Sequence, residues 1–109
     1  MAKHEQYLQA DFDQLLQRIE DGILNGSISA SLEGSSDFRS GESRCSVRVF
    51  ERYSYSGGNR LSLSVTLFQA RADKPVALSA ITAGGSQALF LKINTIGEET
   101  FLEKLLELL

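Results

Sequence analysis

The chain has one cysteine, one proline, one histidine and no tryptophan among its 109 residues, and its apolar runs are only a few residues long. Each shortage excludes something. A lone Cys45 makes no internal disulfide, which fits a reducing compartment and a cytoplasmic location. The single His4 would have to fold back onto Cys45 or a serine to build a Cys-His or Ser-His-Asp site. Metal sites draw on clustered His, Cys or carboxylates. No such cluster is apparent, so no metal or other cofactor is expected. Neither G-x-x-x-x-G-K-[ST] nor G-x-G-x-x-G occurs. Gly57-Gly58 and Gly84-Gly85 each join strand to strand, so they lack the helix N-terminus that holds phosphate. Short apolar runs do not span a membrane, and nothing reads as a secretory signal. Asn25-Gly26-Ser27 matches a glycosylation sequon that a cytoplasmic chain would not use.

What is present describes one folded domain over 1–109, with 42% apolar residues and a net charge of −3. Asp11 starts a helix at about 12–25, with Gln14 three residues on as a capping partner. Phe12, Leu15, Leu16, Ile19 and Ile23 form its apolar stripe. Asn25-Gly26 reads as its left-handed stop. A short strand over about Lys3–Gln9 precedes it. From Ser27 the period becomes two, with Ile28, Ala30 and Leu32 on one face of a strand. The Ser-, Gly- and charge-rich stretch Gly34–Ser43 reads as an exposed loop that Phe38 could pin.

Two hairpins follow. In the strand at about Arg44–Tyr55, alternation separates Cys45, Val47, Val49, Tyr53 and Tyr55 from Arg44, Ser46, Arg48, Phe50 and Arg52. Leu61, Leu63, Val65 and Leu67 mark the inner face of the next strand. A three-residue loop pairs Tyr53 with Leu63 and puts the valines inside. A two-residue turn pairs Arg52 with Leu63, so the three-residue loop is expected. A second hairpin, Pro75–Ala83 with Gln87–Asn94, turns at Gly84-Gly85 and pairs Ala80 with Leu89. A last helix opens at the capping box Thr95-Ile96-Gly97-Glu98 and presents Phe101, Leu102, Leu105, Leu108 and Leu109. The fold class is therefore α+β: a two-layer sandwich, order (β)-α-β-β-β-β-β-α. Two helices cover one face of an antiparallel sheet of four to six strands. The layout is similar to TATA-binding-protein-like and helix-grip folds, an architectural analogy that carries no function.

Three blocks resemble a family of small, uncharacterised Firmicutes proteins known as a domain of unknown function. They are Ile19-Glu20-Asp21-Gly22-Ile23-Leu24 with Gly26-Ser27-Ile28-Ser29-Ala30-Ser31-Leu32, then Cys45 through Asn59, then Ser79-Ala80-Ile81-Thr82-Ala83-Gly84-Gly85-Ser86-Gln87. The resemblance covers nearly the whole chain. It implies a stand-alone bacterial cytoplasmic protein and brings no activity, cofactor or catalytic residue with it.

Three features carry candidate chemistry. On the expected alternation Glu51 faces inward between Val49 and Tyr53, where an unpartnered carboxylate is costly. It could anchor a small apolar or anionic ligand in a pocket with Tyr53, Tyr55 and Gln69, or turn out to water beside an arginine. Second, Arg44, Arg48 and Arg52 form a ladder within residues 39–74, which carry a net +4 against −5 for 1–38 and −2 for 75–109. The ladder could bind an anion or an acidic second copy. Nucleic acid, with Phe50 and Phe68 stacking, is disfavoured because the rest of the chain is acidic. Third, Phe50, Phe68, Ile81 and Phe90 are expected on the outer sheet face, an exposed patch of the kind that marks an interface. Self-association through that face, a homo-oligomer without enzymatic activity, is the leading expectation. An apolar-ligand carrier is the alternative, and an enzyme using Glu51 with an arginine such as Arg52 or Arg60 is the weakest reading.

Overall fold

The computed structural model describes residues 1–27, 29–54, 59–84 and 101–109. The order is β1 (Ala2–Leu8), α1 (Phe12–Gly26), β2 (Ser31–Ser40), β3 (Ser43–Ser54), β4 (Asn59–Gln69) and β5 (Val76–Gly84), then helix α2 at 101–106. The Asp11 carboxylate accepts the Gln14 amide at 2.9 Å and so caps an otherwise unpaired N–H of α1. The helix ends when Ser27 turns extended (φ −146°). The expected left-handed stop at Gly26 is not used, because Gly41 is the one described residue with positive φ.

The five strands form one antiparallel sheet in the order β1-β5-β4-β3-β2. β1 and β2 therefore lie at opposite edges, and α1 links them across one face. Phe12, Leu15, Ile19 and Ile23 of α1 and Phe101, Leu102 and Leu105 of α2 bury against Phe50, Leu61, Leu63, Val65, Leu67, Val76, Leu78 and Ala80. Each large apolar side chain hidden there stabilises by about 1.5–3 kcal/mol. This is the two-layer α+β sandwich that the hydrophobic periods imply.

Two local expectations are corrected, and a third lies outside the described residues. Gly34–Ser43 is not a loop: residues 31–40 form edge strand β2, paired with β3 from Ser31↔Glu51 to Ser40↔Ser43 and bulged between Leu32 and Gly34. An edge strand needs backbone pairing on one side only, and its polar side chains can stay in water. A two-residue turn at Gly41-Glu42 closes this hairpin, with Gly41 at φ +58°, the first-position glycine of type II′ hairpins.

The β3–β4 register is the second correction. Arg48 pairs with Val65, Phe50 with Leu63 and Arg52 with Leu61, leaving four residues between Ser54 and Asn59. The arginines thus share the leucine face, and Val47 and Val49 face outward. Tyr55 and the connection at 55–58 lie outside the described residues. Third, the partners expected for β5 in a second hairpin, the strand at 87–94 with Phe90 and the capping box at Thr95–Glu98 also lie outside them. Within the described sheet β5 is flanked by β4 and β1, so Ala80 stands between Val65 and His4.

Candidate functional site

The helix-covered face holds the arginine ladder. Arg44 donates to both oxygens of Asp13, at 2.7 and 3.1 Å, and its guanidinium lies 4.0 Å above the centre of the Phe12 ring. Arg48 is largely buried. It meets Glu20 at 2.6 Å and Asp37 at 3.1 Å and donates to the carbonyls of Ser36 and Val47. Arg52 stacks 4.6 Å from the centre of Phe101. The ladder therefore binds the helical layer to the sheet: Arg44 and Arg48 grip α1, and Arg52 grips α2.

The electrostatics follow from these contacts. Burial works against the Arg48 charge, but its hydrogen bonds to Glu20 and Asp37 outweigh it and leave the guanidinium pKa raised. Burial pushes Arg52 down. The Arg44 hydrogen bonds hold Asp13 below the usual carboxylate range. The Ser46 hydroxyl, donating at 2.6 Å, does the same for Asp37, helped by Arg48. The outward anion platform expected for Arg44, Arg48 and Arg52 is corrected accordingly. Arg44 and Arg48 run beside α1, whose Asp13 and Glu20 meet their guanidinium heads, and Arg52 lies over Phe101 of α2.

The residues expected to line a ligand pocket are not assembled. Glu51 stands on the outer face, its neighbours across the strands are Ser31 and Ser62, and Arg60 is 3.4 Å away. Its expected inward position is reversed by the register. Tyr53 is also outward and about half exposed. Gln69 is buried on the opposite face, at the far end of β4, where its amide donates to the Lys74 carbonyl at 2.9 Å. Phe50, expected outside, is fully buried.

The outer face carries a different constellation. Registers of the four strand pairs place Tyr7, Ala77, Phe68, Cys45 and Phe38 in one row across all five strands. Successive strands in a sheet lie about 4.8 Å apart, so the three rings recur about every 9.6 Å. Tyr7 is 77% exposed, Phe38 66% and Phe68 46%. Between the rings lie two grooves. One of about 260 Å³ runs over Ala77, between Tyr7 and Phe68. The other, about 290 Å³, runs over Cys45, between Phe68 and Phe38. Away from the row the face carries Ser, Thr and Ala on β4 and β5, Val47, Val49 and Tyr53 on β3, and Ile81 beside Lys3 and Ser64 in the register. Its described ion pairs, Lys3–Glu5 at 3.9 Å and Arg60–Glu51 at 3.4 Å, close within the face.

Sequence reasoning found Phe68 and Ile81 but missed the row. Tyr7 and Phe38 lie on the two edge strands, and only the pairing of β1 with β5 and of β2 with β3 brings them level with Phe68. The available signal was Phe38 itself, a large apolar residue in a polar stretch. No described helix is long and apolar enough to cross a membrane.

No curated protein and no solved structure matches the chain. A family model does, over residues 1–109, and its description is a family of unknown function, DUF6054. The chain belongs to that family.

Proposed function

We propose that the protein is a non-enzymatic module that associates with a second copy of itself through the outer face of its sheet, in the cytoplasm. The observation that carries this reading is the aromatic row Tyr7–Ala77–Phe68–Cys45–Phe38. Three rings held on a rigid sheet, two of them more than 60% exposed, form an apolar band that water solvates poorly. Aromatic side chains dominate the energetics of protein interfaces.

The competing readings have less support. The Glu51 enzyme loses the buried carboxylate on which it rested. The apolar-ligand carrier loses its Glu51–Tyr53–Gln69 pocket, and beneath α1 the described interior is packed with Leu15, Ile19, Phe50 and Leu63. A nucleic-acid platform loses the arginine ladder to α1 and α2.

Light scattering on the wild type and on Phe68→Arg tests the proposal. The wild type is expected at twice the chain mass at tens of micromolar, and the variant at the chain mass with unchanged circular dichroism. A monomeric wild type at every accessible concentration overturns it.

A further inference from the structure

We infer that the two copies meet row against row, offset by one strand about a twofold axis between Phe68 and Cys45, so that each Phe68 sits over the Cys45 of the partner. The inference rests on the proposed self-association and specifies its geometry.

The row alternates large and small: Tyr7, Ala77, Phe68, Cys45, Phe38. A twofold axis parallel to the strands and lying between two stacked sheets reverses the order of the partner's row. With the axis at the central strand, Phe68 would meet Phe68, ring on ring, and both grooves would stay empty. Moving the axis half a strand spacing toward β3 brings every large position over a small one. Phe68 then fills the groove over Cys45 and Phe38 fills the groove over Ala77, in both directions. Moving it toward β1 instead places Phe68 over Ala77 and Tyr7 over Cys45, leaving Phe38 outside. The first offset is preferred because the ring it leaves out is Tyr7, whose hydroxyl is satisfied by water, whereas phenylalanine has no polar end to solvate.

Charge and area agree with a second copy as the occupant. Lys3 with Glu5 and Arg60 with Glu51 are neutralised within this face, and the Glu33 carboxylate beside it accepts from the Ser31 hydroxyl. A polyanionic partner, such as a nucleic acid or an anionic membrane, finds no uncompensated positive charge there among the described residues. A second, nearly neutral face meets little repulsion. The 9 residues of β5 span about 30 Å. Four overlapping strands then cover about 580 Å² of each copy, a total near 1,200 Å², the lower bound for a specific interface.

The two registers make opposite distance predictions. In stacked sheets about 10 Å apart, the inferred offset puts the two Cys45 Cα atoms about 11 Å from each other and the two Ala77 Cα atoms about 18 Å apart. A direct disulfide is out of reach, but a bis-maleimide no longer than about two strand spacings joins the cysteines. The test compares cross-linking of the wild type with that of Ala77→Cys in a Cys45→Ser background. Wild type is expected to yield at least about tenfold more cross-linked dimer, and Phe68→Arg to yield none above a denatured control. A dimer by light scattering that links through Ala77→Cys but not Cys45, or through neither, overturns this register and leaves self-association standing. A monomer overturns both. Rapid alkylation of Cys45 in that monomer then points to a different partner, and protection points to cover from within the chain.

Discussion

At the residue scale, two contacts can be tested in isolation. Leu108 lies over Gly22 so closely that no Cβ fits between them without movement. Glycine costs a helix about 1 kcal/mol relative to alanine, so its place in α1 reflects the approach of the chain around Leu108. Gly22→Ala should therefore cost about 1 kcal/mol in the wild type through overpacking. In a Leu108→Ala background the same change should instead stabilise by about 0.5–1 kcal/mol, read as urea midpoints. Equal effects in the two backgrounds would show that Leu108 moves aside freely. Arg48 offers the second test. Its side chain is 10% exposed while those of Glu20 and Asp37 retain 23% and 61%. Glu20→Ala strands a buried cation with Asp37 as its remaining acidic partner, and should cost about 1–3 kcal/mol. Arg48→Met keeps the packed stem and releases two carboxylates that reach water, so it should cost less. The reverse ranking in thermal or urea unfolding would mean that the charge itself, not its desolvation, sets the balance.

Among the elements, legibility followed burial. α1 was readable to within a residue because its cap at Asp11 and its stripe from Phe12 to Ile23 are local signals. The inner faces of β4 and β5 were readable because Leu61, Leu63, Val65 and Leu67 alternate with Ser and Thr, and Val76, Leu78 and Ala80 recur at the same period. β3 was misread because both its faces carry apolar atoms. Val47 and Val49 occupy one face, and Phe50 with the stems of Arg44, Arg48 and Arg52 the other. Alternation alone cannot choose between valine and arginine when the acids that satisfy Arg44 and Arg48 lie on a distant helix and on the neighbouring strand. β2 was misread because Ser and Gly favour loops by local propensity, and its ladder with β3 overrides that preference. The aromatic row depends on both misread strands. Its rings were visible as residues, but their alignment exists only in the strand register. The arginine ladder was legible as a charge pattern, and its role as a clasp required the position of α1.

For the molecule as a whole, the charge asymmetry between the basic middle segment and its acidic flanks is folded inward. Arg44 and Arg48 of that segment meet carboxylates of α1 and β2. The acid side of the stability profile should show this. Asp13 and Asp37 both titrate below their ordinary range in the folded chain. A carboxylate with a depressed folded pKa binds fewer protons folded than unfolded. It therefore adds stability above its unfolded value, near pH 4, and loses that contribution as pH falls through the folded value. Both groups are largely exposed, so the effect is modest and screened. Urea midpoints should fall between pH 5 and pH 3 at low salt, less steeply at about 1 M salt, and less steeply in Asp13→Asn/Asp37→Asn. An unchanged slope in the double variant would assign the acid sensitivity elsewhere. The strand order has a consequence in time. Among the described strands β1 leaves the ribosome first, but the partner of Ala2 is Thr82, 80 positions later. At about 5–20 residues per second this strand waits roughly 4–16 s for β5. Until then it is an unpaired nascent edge displaying Tyr7, and the described sheet closes only when its first strand meets its last.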